Sequence, residues 1–239
     1  MQPKYESDLS FQSSLPNSSA DWRFLLPITE SSRILIIGGE YDGFSELFSK
    51  IGVLEVTWLC SSLLANSENK NVEHSKFDAI ANLATQSFPS KSFDMVVVPF
   101  GFPGGRLTDE ADVFQMIRRL MRPNGTMLIG FSNIFGLFRR GEQSDSCYST
   151  PWQMIRKLRS AGYSQIDIYG AMPSLVSPEY IFPLKAHLLS FTLQHRYRYK
   201  LSDRLLQLFS SKPVASIFLY LLSYYFIIAK SDVATESDI

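Results

Sequence analysis

The chain has 239 residues, 45% of them hydrophobic, enough for one large domain with a sizeable core. Lysine plus arginine and aspartate plus glutamate balance at 23 each, so no global field exists to gather nucleic acid. Cys60 and Cys147 offer neither a metal-ligand spacing nor a disulfide framework, which predicts a metal-free protein of a reducing, cytoplasmic compartment.

Residues 1–21 are rich in Ser, Asn and Gln without an apolar run, and read as a flexible N-terminal arm rather than a signal peptide or anchor. From Arg33 onward short apolar runs alternate with helical stretches, the pattern of a mostly parallel α/β sheet covered on both faces. "RILIIG" is the first strand, and Phe44, Leu47, Phe48 and Ile51 share one face of a crossover helix stopped by Gly52. "EVTWLC" is the second strand, followed by a polar linker that contains His74. "FDAIAN" is expected as the third strand and "FDMVVVPF" as the fourth.

A helix capped by Thr108 or Asp109 follows, with Val113, Met116, Ile117 and Leu120 on its buried face. "RPNG" ends it, since Pro123 cannot continue a helix and Asn124-Gly125 tolerate a left-handed turn. "TMLIGFSN" is strand five. Pro151 stands at the first position of a further helix with Gly162 past its end, and "YSQIDIYGAM" is strand six. Residues 174–223 are aromatic and helical in period, an expected helical cap inserted before a closing strand, "YFIIAK", and a polar tail, within 224–239. The uncharged run from Val214 to Ala229 falls short of the roughly 20 residues of a spanning helix.

Three segments carry a family resemblance. "SFPSKSFDMVVV", "FQMIRRLMRPNGTMLIGFSN" and "TPWQMIRKLRSAGYSQIDIY", in this order and spacing, resemble class I S-adenosylmethionine-dependent methyltransferases of the type 11 kind. The matching positions are Ser87, Phe88, Pro89, Ser92, Phe93 and Asp94 in the first, and Arg119, Leu120, Arg122, Pro123 and Gly125 in the second. The resemblance covers roughly residues 22–171 and the last strand. It implies a doubly wound, Rossmann-like, mostly parallel seven-stranded sheet over residues 22–173, S-adenosylmethionine as cofactor, and transfer of a methyl group to a small-molecule or lipid-linked acceptor.

In such proteins an acid on strand one, a G-x-G-x-G turn, an acid after strand two and an acid after strand three hold the cofactor. Those positions fall here on Ile36, on Gly38, Gly39, Glu40, Tyr41 and Asp42, on Cys60 and on Asn82. Gly38 keeps the pattern, Gly39 stands beside it and Gly43 arrives one residue late. Cys60 accepts poorly, so two ribose hydroxyls would forgo charge-assisted bonds of about 1.5–3 kcal/mol each. The Asn82 carbonyl oxygen can still accept from the adenine amine. "ILIIGGEYDGF" also looks like the spermidine-synthase turn, in which Glu40 or Asp42 would face the ligand; a solvated turn is the competing reading for both.

Methyl transfer needs chiefly alignment of nucleophile and methyl group, so no fixed triad is expected. Phe100 in "PFGFPGG" would line the acceptor side, and Asn133, Arg139 and Arg140 follow strand five, where arginine can bind an acceptor phosphate or carboxylate. His187 and His195 in the cap are the candidate bases. "HRYRYK", His195 to Lys200, joins aromatic and basic residues as a peripheral membrane contact does, against the plainer reading of a lid with solvated tips. Three readings remain: a methyltransferase; a methyltransferase-fold binding or assembly subunit without catalysis, beside a protein partner; and a peripheral membrane protein.

Overall fold

The computed structural model describes residues 21–38, 53, 55–60, 72–76, 88–102, 110–136, 148–176, 178–185, 187–189, 191 and 212–231. After a short 3-10 turn, Trp22–Leu25, come β1 (Arg33–Ile37), β2 (Glu55–Cys60), β3 (Val72–Lys76) and β4 (Phe93–Val98). Then follow α1 (Glu110–Leu120), β5 (Met121–Asn133), β6 (Tyr148–Ser149), α2 (Pro151–Ser160), β7 (Tyr163–Met172), β8 (Tyr180–Pro183), α3 (Lys212–Leu219) and β9 (Tyr224–Ser231). One sheet holds all the strands in the order β3-β2-β1-β4-β5-β9-β7-β8, with β6 beside the end of β5.

The first five strands pair in parallel, and β9 runs antiparallel between β5 and β7. The sheet is therefore mixed only where the chain returns. Both faces are buried, which is why its strands read as continuous apolar runs. Leu35, Ile37, Val96, Val98, Met127, Ile129, Tyr225 and Ile227 belong to the core under α1 and α2. Their neighbours in sequence, Ile34, Ile36, Met95, Val97, Leu128, Tyr224 and Phe226, form the opposite core with Trp22 and Leu26. The alternation follows from the two-residue period of a strand.

Helix α1 buries Val113, Ile117 and Leu120 as the spacing predicts, and Phe114 with them. In α2, Thr150 and Gln153 form a reciprocal capping box, Pro151 occupies the first turn, and Gly162 adopts a left-handed φ of 87° past the end. The "RPNG" turn lies within the β5 span, as an irregularity between the Phe93–Met121 and Met95–Thr126 pairs, with Asn124 left-handed at φ 62°.

Several expectations change. The third strand among the described residues is Val72–Lys76, within the stretch read as a polar linker, and His74 pairs with Trp58 on it. Polar "VEHSK" hides this strand because it lies at the sheet edge, where the apolar-run signature of a central strand is not required. The insertion before the last strand is not wholly helical: Tyr180–Pro183 forms β8, antiparallel to β7, and extends the sheet beyond the seven expected strands. The run from Val214 to Ala229 divides between α3 and β9, and β9 is apolar because it is enclosed between β5 and β7. Among the described residues no helix is long and apolar enough to cross a membrane. The N-terminal arm before Asp21, the crossover helix around Phe44 to Ile51 and "FDAIAN" lie outside the described residues.

Candidate cofactor and acceptor site

The strand order runs one way from β1 to β2 and the other way from β1 to β4, so the crevice at the carboxyl ends of β1 and β4 is the topological switch point. Gly38 closes β1 there. Its φ of 75° is in the left-handed region and its N–H donates to the Leu59 carbonyl at 2.8 Å, which carries the β1–β2 ladder one residue further. A side chain in this conformation costs roughly 1–2 kcal/mol, and glycine also leaves the backbone open to a ligand. Beside it, β4 ends in a turn that includes Phe100 and Gly101, the latter at φ 81°. Phe100 is half-buried and packs against the core of Ile34, Ile36 and Val97.

Among the described residues, no carboxylate stands at the carboxyl ends of β1, β2, β4 or β5. Cys60 ends β2 in the place where the resemblance expects an acid. For the implied cofactor the Gly38 turn fits, since it supplies open backbone at the switch point, whereas β2 ends among the described residues on Cys60, which is no charged acceptor for the ribose. Gly39, Glu40, Asp42, Asn82, Arg139, Arg140 and His195 lie outside the described residues.

Asn133, at the carboxyl end of β5, is fully buried. Its side-chain amide donates to the carbonyls of Tyr220 and Leu222, both at 2.8 Å, and its Oδ1 accepts from the Phe135 N–H at 3.2 Å. Its backbone N–H reaches the Ser223 carbonyl at 2.8 Å. This side chain fastens the returning segment to the sheet. The Tyr225 hydroxyl completes the fastening by donating to the Leu219 carbonyl at 2.6 Å, while its ring stacks on Phe131 at 5.4 Å. Burial pushes the Tyr225 hydroxyl well above the ordinary tyrosine range. His187 is exposed, two residues before the buried Leu189.

The anchoring pair, Asn133 with Tyr225, was not evident as a pair in the sequence. The only signal for it is a polar residue closing an otherwise apolar strand. Because β7 leaves the sheet at the crest and β9 re-enters there, residues 173–223 depart from and return to the end that holds Gly38, Phe100 and Asn133. The parallel order β3-β2-β1-β4-β5, continued by β9 running antiparallel between β5 and β7, settles the architecture. The fold is that of class I S-adenosylmethionine-dependent methyltransferases.

Solved structures bear on this methyltransferase fold. An S-adenosylmethionine-dependent methyltransferase from Archaeoglobus fulgidus superposes with a TM-score of 0.57 at 18% identity, covering 88% of this chain and 91% of that one. A second, from Mesorhizobium loti, gives 0.55 at 13% identity over 87% and 94% of the two chains. Phosphoethanolamine N-methyltransferase 2 of Haemonchus contortus, in complex with S-adenosyl-L-methionine, gives 0.56 at 18% identity over 88% of this chain; the match spans 51% of that enzyme. No protein-family model and no curated protein matches the sequence.

Proposed function

We propose that the chain is an S-adenosylmethionine-dependent methyltransferase whose acceptor is a small or lipid-linked molecule bound beneath the segment between β7 and β9. The observation that carries this reading is Gly38: left-handed, side-chain-free and placed at the switch point between β1 and β4. When bound, the cofactor supplies an electrophilic methyl group on a sulfonium. The chain's own part is to hold and to align: Gly38 and Gly39 offer backbone, Glu40 or Asp42 accept from the ribose or the amino group, and Asn82 accepts from the adenine amine. Cys60 gives a hydroxyl at most a weak partner. Phe100 walls the acceptor side, and Arg139 and Arg140 are placed in sequence to meet an anionic acceptor.

A lipid-linked acceptor is favoured by the crest itself. Ile134, Phe135, Tyr148, Trp152, Ile217 and Tyr220 are all exposed. Hydrogen bonds link their segments: the Ile134 N–H donates to the Ser149 carbonyl, the Asn133 side-chain amide donates to the Tyr220 carbonyl, and the Tyr220 N–H donates to the Ile217 carbonyl at the end of α3. Aromatic residues in such a rim suit headgroup depth. The second reading, a binding subunit without catalysis, is favoured by Cys60 at the end of β2.

Titration calorimetry with S-adenosylmethionine and S-adenosylhomocysteine tests the first reading. Binding of both is expected, and a folded protein that binds neither at millimolar concentration overturns it. Binding without transfer of labelled methyl to any lipid or amine extract selects the second reading. Flotation with anionic liposomes is expected to carry the protein upward, and to fail when Trp152 and Tyr220 are replaced by serine.

A further inference from the structure

At the opposite end of the strands from the crest, a groove of about 390 Å³ opens between the start of β4, the end of α1 and the start of β5. Four cations line it, Lys91, Arg118, Arg119 and Arg122. The carboxylate nearest in the hydrogen-bond network is Asp94, which pairs with the Arg122 guanidinium at 2.9 Å while its other oxygen accepts from the Arg33 N–H. Arg118 is also engaged, its guanidinium 3.5 Å from the Ala161 carbonyl at the end of α2. Among the described residues, no carboxylate pairs with Lys91 or Arg119.

Two basic residues in the last turn of α1 suit its negative end, which accounts for Arg118 and Arg119 in part. It does not account for Lys91, which comes from a different element. Lys91 holds a left-handed φ of 58°, a conformation that glycine adopts at lower cost, and its N–H donates to the Arg119 carbonyl at 2.9 Å. That bond sets the lysine and Arg119 on one rim of the groove. Gln115, Ser90 and Ser231 add neutral polar groups to the lining. In a chain whose charges balance overall, this is a local concentration of cations, two of which pair with no carboxylate among the described residues.

We propose that this groove at the foot of the sheet binds a phosphate-bearing ligand, with Lys91 and Arg119 meeting its oxygens and Arg118 and Arg122 supplying the surrounding field. A phosphate carries charge on three acceptor oxygens and matches both the arginine fork and the lysine point charge. The site is separate from the crest and does not depend on methyl transfer. A soluble phosphate ester and a phospholipid headgroup present the same chemistry, and the probes below tell them apart.

The test uses the full chain, with inorganic pyrophosphate in titration calorimetry and with phosphatidylcholine vesicles, with and without phosphatidic acid, in co-sedimentation. Arg119→Gln changes an exposed side chain, and Lys91→Gly relieves the left-handed strain, so both variants should fold. Each is expected to weaken binding by about tenfold, the loss of one charge-assisted hydrogen bond. Pyrophosphate binding that falls in both variants supports a soluble ligand. Sedimentation only with phosphatidic acid, lost in both variants, supports a headgroup. No binding of either probe at low ionic strength, or binding that both variants leave within about twofold of the parent, overturns the proposal.

Discussion

Replacing Asn133 by alanine separates an anchoring role from a ligand-binding one. The substitution removes two donors at 2.8 Å from the carbonyls of Tyr220 and Leu222, and one acceptor from the Phe135 N–H. Each of the first two bonds is worth about 1 kcal/mol net, and stranding the buried Leu222 carbonyl adds about 1–3 kcal/mol. The loss is therefore about 3–5 kcal/mol, a large share of the roughly 5–15 kcal/mol that a domain has in total. With a urea slope of about 3 kcal/mol per molar for a chain of this size, the midpoint should fall by 1 M or somewhat more. Equilibrium urea unfolding followed by tryptophan fluorescence measures it. Asn133→Asp keeps an acceptor for Phe135 but sets a carboxylate against two carbonyls, and should unfold at least as easily. A midpoint unchanged in Asn133→Ala, together with weakened acceptor binding, would refute the anchoring role and return this residue to the acceptor site.

Other outcomes follow from the same geometry. Gly38→Ala forces a side chain into φ 75° and is expected to cost about 1–2 kcal/mol and to lower S-adenosylhomocysteine affinity at least tenfold by calorimetry. Gly130→Ala would bring a Cβ within 2.0 Å of the Pro99 carbonyl oxygen, so a destabilisation of about 3 kcal/mol or more is expected in thermal unfolding. Asp94→Ala removes the acceptor of the Arg33 N–H and the partner of Arg122; because Arg122 is 41% exposed, the expected loss is only about 1–2 kcal/mol, read as a few degrees in Tm. Burial raises the hydroxyls of Tyr163 and Tyr225 above their ordinary value of 10.0. A raised folded value means that the unfolded chain loses its protons first, so stability is constant below about pH 10 and declines above it. The slope approaches about 1.4 kcal/mol per pH unit for each tyrosine. Tyr163→Phe should make that alkaline decline shallower, Tyr225 and the also raised Tyr169 supplying the remainder, in urea midpoints measured from pH 9 to 11, and leave the slope below pH 9 unchanged.

Much of the sheet was legible because its strands are buried on both faces and so announce themselves as apolar runs. "RILIIG" and "FDMVVVPF" cover β1 and β4 and run slightly past their ends, and "YFIIAK" falls within β9, for this reason. The helix ends were legible from chemistry: Thr150 and Gln153 cap α2, and Gly162 supplies the left-handed stop. The third strand was not, since the edge of a sheet tolerates "VEHSK" and a hydropathy pattern looks past it. Strand β8 was missed because Tyr180 to Pro183 is four residues long inside a stretch of helical period, and only pairing with β7 makes it a strand. At the site, Gly38 could be read from the strand-to-turn transition. Asn133 could be found but not its role, because its partners lie almost ninety positions downstream, with sequence separations of 87 and 89.

The segments that carry the family resemblance also show why a fold does not by itself give an activity. Arg122 of "RPNG" pairs with Asp94 of "SFD", Asp94 accepts from the start of β1, and the N–H groups of Lys91 and Ser92 reach the Arg119 and Leu120 carbonyls at the end of α1. These contacts tie β1, β4, β5 and α1 together at the foot of the sheet, remote from Gly38. They fix strand order and register whatever binds at the crest, so their persistence follows from folding alone. The crest obeys different demands: the left-handed backbone of Gly38 ends β1, and the backbone pairing of β1 with β2 forms without an acid at the end of β2. A sequence can therefore keep every motif at the foot whatever stands at the crest, where Cys60 ends β2 in the place the resemblance gives to an acid. Binding measured at the crest, not resemblance at the foot, discriminates an enzyme from a scaffold in this chain.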